Sequence, residues 1–300
     1  MTGLPFLRLP QLIQSIVLGQ VELVDLITLS FCSRKAKKIV KSMNVELDEL
    51  SFQLEPFDFS VRVNKIFFIG YLMNPFCQLF LKGPGNREVL LLKTSAVPEE
   101  VTSLMIAHLL EAFRGKTIKM KTQTQNILNH LLSKHHKTIY NLCISEKRPM
   151  KMSVEEMKLI FEKLNITGVL KIFPAVVDGY EYSEGFQQDK VLINHAKWVQ
   201  FMSILESRSS EIRLFEYPWP SDFVFRTFLE NWMAKKKTQN LKVFELAMVK
   251  ESSLNWGFLD IMFGIQHERL NRTTARVRRI DGKVAEVVTY AEYFKFEVIN

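Results

Sequence analysis

Three cysteines, Cys32, Cys77 and Cys143, are all that 300 residues contain. They lie far apart, and no pair has the spacing of a metal site or a redox motif. Each sits in an apolar run and reads as a buried free thiol, which behaves as a small hydrophobe. So sparse and odd a set fits a reducing compartment, the cytosol or the nucleus. Long apolar stretches are missing too. Nothing approaches about 18 consecutive apolar residues, which leaves no expected membrane span. A secretory leader is not expected either, because Pro5, Arg8 and Pro10 interrupt the first apolar run and no small-residue cleavage site follows.

Catalytic signatures are also lacking. None of His108, His130, His135, His136, His195 and His267 belongs to a complete HExxH motif. His135 and His136 are adjacent, so on a helix they diverge by about 100° and chelate poorly. Gly83-Pro84-Gly85 is too short to cradle a phosphate, and its proline removes an N–H donor. No nucleophile elbow is present. His195 would need a nucleophile or carboxylate held close in space to work as a base. The three thiols read as buried and unactivated, so none is expected to be a catalytic nucleophile. The expectation is a chain that is not an enzyme and takes no metal or other cofactor.

What is present is an ordinary globular balance, 47% hydrophobic and 24% charged, which argues against long disordered stretches. The net charge of +8 is spread over Arg34–Lys41, Lys235–Lys237 and Arg269–Arg279. Each cluster reads as a solvated end or face of an element rather than a nucleic-acid footprint, which concentrates on one surface among exposed aromatics.

Residues 4–44 read as three short helices. Leu9-Pro10 opens the first, with proline suited to the first helical position. Leu12, Ile13, Ile16 and Val17 then share a face, and Gly19 ends the helix as a left-handed cap. The second, about Glu22 to Phe31, is apolar almost all round. Ser33 caps the third, where Ala36, Ile39, Val40 and Met43 recur at helical spacing under a basic outer face. Thirteen of the 23 positions from Leu9 to Phe31 are apolar. A module of roughly 40 residues cannot hide that much from water, helix 2 least of all. The rest of the chain or a partner must cover the excess.

Beyond the helices, residues 50–94 are β-rich, with Gly83–Asn86 turning between two strands. Pro98-Glu99-Glu100 starts a helix whose apolar side is Leu104, Leu109, Leu110 and Phe113. Strands and helices then alternate to 249. A helix is expected near Thr124–Ser133, strands at Ile139–Ile144, Gly168–Phe173, Lys190–Ile193, Glu211–Phe215 and Leu241–Leu246, and a capping box at Ser153 and Glu156. Alternation implies parallel pairing, and the strand recurrence of roughly 20 to 30 residues lies in the range of leucine-rich repeats without their strict consensus. Asp281-Gly282 turns a hairpin within 273–298.

The run Leu9-Pro10…Ile16-Val17-Leu18…Glu22-Leu23-Val24…Leu29-Ser30-Phe31-Cys32-Ser33-Arg34-Lys35-Ala36 resembles an F-box, and in particular the nematode-type F-box. Ala36 stands where many F-boxes place a tryptophan. The stretches Lys190–Trp198, Phe228–Trp232, Leu241–Leu246 and Arg279–Ala285 resemble the type 2 F-box-associated domain that often follows it. The resemblance implies an α/β chain with a three-helix F-box at 1–46. An irregular leucine-rich-repeat-like α/β target-binding domain then fills 47–300 and closes with a β-hairpin. It also implies a substrate-recognition subunit of a Skp–cullin–F-box ubiquitin ligase. Leu9, Pro10, Leu12, Ile13, Ile16, Val17, Leu23, Leu26 and Ile27 would be divided between the Skp adaptor and helix 3. A non-ligase scaffold that uses the F-box as an interaction module is the alternative. Trp198 and Trp232 read as core. Trp219, in the loop Tyr217-Pro218-Trp219-Pro220, is the candidate contact for an unknown protein target.

Overall fold

The computed structural model describes residues 8–54, 58–64, 66–73, 76–82, 88–94, 98–122, 138–145, 151–218, 222–248, 265–290 and 292–299. The chain divides into two compact units, Met1–Tyr140 and Asn141–Asn300. It is mixed α/β, with helices at the N-terminus and extensive sheet after them.

The first unit begins with α1 (Gln11–Leu18), α2 (Leu23–Cys32) and α3 (Arg34–Ser42). Ser33 caps α3, its Oγ accepting from Ala36 N at 3.1 Å. Gly19, by contrast, is right-handed (φ −64°, ψ −16°), so positive φ is not its role. A Cβ there would lie 3.2 Å from the Ser15 carbonyl oxygen, a close approach that glycine avoids. Pro10 is the residue before the helix and not its first turn; its carbonyl accepts from Gln14 N.

Six strands follow: β1 (Glu46–Leu54), β2 (Asp58–Val63), β3 (Ile66–Met73), β4 (Phe76–Lys82), β5 (Glu88–Thr94) and, after α4 (Pro98–Ala112), β6 (Arg114–Thr122). β1 to β5 form an antiparallel meander, and β6 returns beside β1 in parallel, Leu50 opposite Ile118. A helical crossover between parallel neighbours is the connection such pairing requires. Leu47, Leu50, Phe52 and Leu54 of β1 are fully buried, as are Val61 and Val63 of β2. On α4, Met105, Ile106, Leu109 and Leu110 turn inward, as does Phe113 just after it, whereas Leu104 is 68% exposed and does not join the apolar side assigned to it.

The second unit has strand order β7-β8-β9-β10-β11-β15-β14-β13-β12. β7 (Thr138–Ile144) opens it, and β8 (Asn165–Ile172), β9 (Lys190–Ile193), β10 (Glu211–Tyr217) and β11 (Val243–Met248) pair in parallel in sequence order. β12 (His267–Arg269), β13 (Thr274–Arg278), β14 (Val284–Tyr290) and β15 (Tyr293–Val298) are antiparallel, with β15 on β11. Gly282 turns the β13–β14 hairpin at φ +90°, a value that favours glycine. Helices α5 (Val154–Lys158, continued by a π-helical turn at Leu159–Lys163), α6 (Phe201–Leu205) and α7 (Asp222–Met233) connect the parallel strands. The capping box at α5 is complete: Ser153 N donates to Glu156 Oε2 at 2.7 Å, and Glu156 N to Ser153 Oγ at 3.3 Å.

The core of this unit is aromatic. Phe225, Phe228 and Trp232 on one face of α7 meet Phe244 of β11 and Phe294 and Phe296 of β15, with ring centroids 4.5 to 6.3 Å apart. Trp198 is likewise buried. The expected helix near Thr124–Ser133 lies outside the described residues.

Candidate protein-interaction surface

At 100° per residue, Leu12, Ile13, Ile16 and Val17 occupy one side of α1, and Gln14 and Leu18 occupy the other. The second side faces in. Leu18 is 3% exposed, and the buried Gln14 side chain donates from Nε2 to Leu9 O at 2.7 Å. The apolar side faces out: Leu12 is 72% exposed, Ile13 45%, Ile16 60% and Val17 44%. Pro10 is exposed beside them. An amphipathic helix is normally the other way round, and four adjacent large apolar side chains in water are the kind of exposed patch that interaction sites carry.

The nine candidate docking residues therefore separate. Leu12, Ile13, Ile16 and Val17 form the exposed stripe, with Pro10 at its end. Leu9 and Leu23 are half-buried. Leu26, 5% exposed, and Ile27, 0%, are interior. Trp219 lies outside the described residues.

Helix α2 departs from the expectation that it would carry the largest uncovered surface. Its inner face packs on α3, and its C-terminal end meets α4 through His108. Phe31 stacks on the His108 ring at 4.0 Å with 14° between planes, and Ser30 Oγ lies 3.0 Å from His108 Nε2. Burial, and after it the Lys37 charge, pull the His108 pKa down to about 4, so the imidazole is neutral at pH 7. Around it, Lys37 and Lys41 of α3 pair with Glu111 of α4. No local pattern marks this junction, because the residues of each contact lie 70 or more positions apart.

Other expectations are corrected by position. Cys32 is exposed at the end of α2, not buried, and Cys143 is half-buried; Cys77 has no described side chain. Arg279 belongs to the core and not to a solvated hairpin face. It is 3% exposed, bonds both oxygens of Asp281 at 2.8 Å and lies 5.2 Å above the Trp232 ring. That fork holds the Asp281 carboxyl well below the usual carboxylate range. Arg272 and Arg278 stay exposed. His195 does find a carboxylate: Nδ1 lies 2.6 Å from Glu216 Oε2, at a bulge where Glu216 has φ +50°. The pair ties the loop after β9 to the end of β10, alongside the bond from Ala196 N to Phe215 O at 3.0 Å.

The sequence model of the F-box domain matches residues 6–48, the segment that holds all three helices and the exposed stripe. An F-box domain is found here. In general it suggests a Skp-binding substrate adaptor of Skp–cullin–F-box ligases. No curated protein and no solved structure matches the chain.

Proposed function

We propose that this chain is a substrate-recognition subunit of a Skp–cullin–F-box ubiquitin ligase. The observation that carries the reading is the outward apolar stripe of α1 inside the matched F-box segment. The Skp adaptor docks on Leu12, Ile13, Ile16 and Val17, with Pro10, Leu9 and Leu23 at the margin. Leu26 and Ile27 hold the helices together beneath. The region from 47 to 300 presents a protein target, with the consecutive parallel strands β8 to β11 forming an irregular, leucine-rich-repeat-like layer. This region is read as a type 2 F-box-associated domain after a nematode-type F-box. The subunit works in the cytosol or nucleus and performs no chemistry; ubiquitin transfer belongs to other subunits.

The test is capture of purified Skp adaptor by the full-length chain beside the Ile13→Asp, Val17→Asp double variant. Both positions are exposed, so the variant keeps its fold. Adaptor capture by the wild type alone is the expected result. If the folded wild type captures no adaptor, the ligase reading fails. If it captures adaptor but never co-purifies with a cullin, the scaffold alternative replaces it.

A further inference from the structure

The second unit contains a cavity of about 410 Å³ that opens to solvent beside α5. Its size falls within the range of roughly 300–1,000 Å³ typical of ligand sites. Phe161, Tyr180 and Tyr182 form its apolar wall, and Glu162, Glu181 and Glu184 bring three carboxylates to it. Lys158 is also at the rim, so the four charged residues leave an acidic excess.

The wall is rigidly built. Phe161 sits on the π-helical turn after α5, an irregularity frequent at functional sites. Gly179, at φ +88°, turns the chain into an alternating segment in which Tyr180 and Tyr182 point inward while Glu181, Ser183 and Glu184 are exposed. That segment is pinned by Tyr182 N donating to Trp198 O and Gln200 N donating to Tyr182 O, each at 2.9 Å. Behind it, Phe161 lies 4.3 Å from Tyr182 and 5.8 Å from Trp198, and Tyr180 lies 5.5 Å from Trp198. Glu181 accepts from Gln200 Nε2 at 2.5 Å, which holds one carboxylate in place.

Glu162 and Glu184 act directly on the aromatic wall. Burial first, and then the charges of these two residues, push the Tyr180 phenol up to about 12. The phenol therefore stays neutral at pH 7, and its ring faces a negative field. A neutral electron-rich ring beside carboxylates attracts cations. A planar guanidinium suits such a site better than an ammonium, because it stacks on the ring and forks onto carboxylate oxygens.

We infer that this cavity receives an arginine side chain of the protein target. The inference rests on the reading of residues 47–300 as target-binding and names the chemistry of that recognition. The chain carries +8 overall, so attraction of a cation here is local and runs against the global field.

The test uses the full-length chain labelled with fluorotyrosine and followed by fluorine NMR. The Tyr180 signal is assigned as the one lost in Tyr180→Phe. The probe is a glycine–serine heptapeptide with a central arginine, compared with the same peptide carrying citrulline or lysine. The arginine peptide should shift the Tyr180 signal with half-saturation at about 1 mM, a scale set by one stacked and forked side chain. The citrulline peptide should leave it unmoved, and lysine should bind several-fold more weakly. The Glu162→Gln, Glu184→Gln variant should raise half-saturation about 10-fold. Both positions are exposed, so its fold is not in question. No shift up to about 20 mM, an equal shift with citrulline or lysine, or an unchanged double variant overturns the inference. Adaptor capture is run on the same samples. Adaptor binding without peptide binding removes this inference alone. Peptide binding without adaptor binding removes the ligase reading and leaves an arginine site.

Discussion

Helices α1 and α2 are neighbours of nearly equal length and similar apolar content, yet they spend their apolar residues in opposite ways. α2 turns Leu26 and Ile27 inward and has its C-terminal end held by α3 and His108 of α4. Among the described side chains of α1, Gln14 and Leu18 are buried and Leu12, Ile13, Ile16 and Val17 are left in water. Composition alone points to α2 as the helix in need of a partner, because it is apolar on more sides. The structure reverses that ranking, since a helix from beyond the F-box segment helps to cover α2. Need for a partner follows from what is left uncovered once the chain has packed, and not from how apolar a segment is.

The comparison is broken hardest at Ile27. Ile27→Asp places an unpaired carboxylate where exposure is 0%, and should cost at least about 4 kcal/mol. The expected result is a lowered melting temperature, and adaptor capture lost only because the helices have come apart. If Ile27→Asp melts like wild type, the side chain is not interior and the contrast between the helices collapses.

Next in size is Ile13→Asp with Val17→Asp, where the loss falls on binding. Two apolar side chains withdrawn from an interface, and two carboxylates brought to it, should weaken adaptor binding by about 3 kcal/mol, or roughly 100-fold. Chain stability should change by less than about 0.5 kcal/mol, since both positions already face water. Calorimetric binding and thermal melting on one sample separate the two quantities. A drop in melting temperature without weaker binding would assign the stripe to the chain's own interior.

A smaller effect belongs to the α2–α4 junction. His108 is lowered from 6.5 to about 4 in the folded chain. Between those values the unfolded chain holds a proton that the folded chain does not, so stability is fully present above pH 6.5 and is lost as pH falls toward 4. After allowance for partial exposure, the loss should be about 1–2 kcal/mol. His108→Phe, which keeps the stack on Phe31, should flatten this part of the stability–pH curve. An unchanged slope would place the titration elsewhere.

Most elements were legible where one signal dominated. Ser33 as a cap, Ser153 with Glu156 as a capping box and Asp281-Gly282 as a hairpin turn are local chemistry, and the structure places each accordingly. β1 was legible only from Leu50 onward, and β6 and the three-residue β12 were not legible at all. β1 spaces Leu47 and Leu50 as a helix would, then Leu50, Phe52 and Leu54 as a strand, so neither period wins. β6 is lysine-rich and carries little apolar alternation; it is made a strand by pairing with β1 and by Lys119 bonding Glu49 at 2.7 Å. The stripe of α1 was legible as a stripe but not as an exposed one, because direction depends on which side Leu18 and Gln14 pack. The Tyr180 cavity is assembled from separate segments, so its aromatic and acidic residues converge only in the fold.

The finest test of the junction is Glu111. It sits on the exposed edge of α4, between Lys37 and Lys41 of α3, and these lysines hold its carboxyl below the usual range. Such a surface pair contributes less than about 1 kcal/mol, so Glu111→Gln should barely move the melting temperature. Its effect on His108 should still be visible. The Glu111 charge raises the His108 pKa while Lys37 lowers it. Without the carboxylate, the lysine acts unopposed on the imidazole. The His108 pKa should then fall further below about 4, and the acid-sensitive window should widen downward. An NMR titration of the His108 ring in wild type and Glu111→Gln reads this directly. A rise in the variant would mean that Lys37 swings away once its partner is gone. The α3–α4 ion pair would then be holding the lysine over the histidine, rather than shielding the histidine from it.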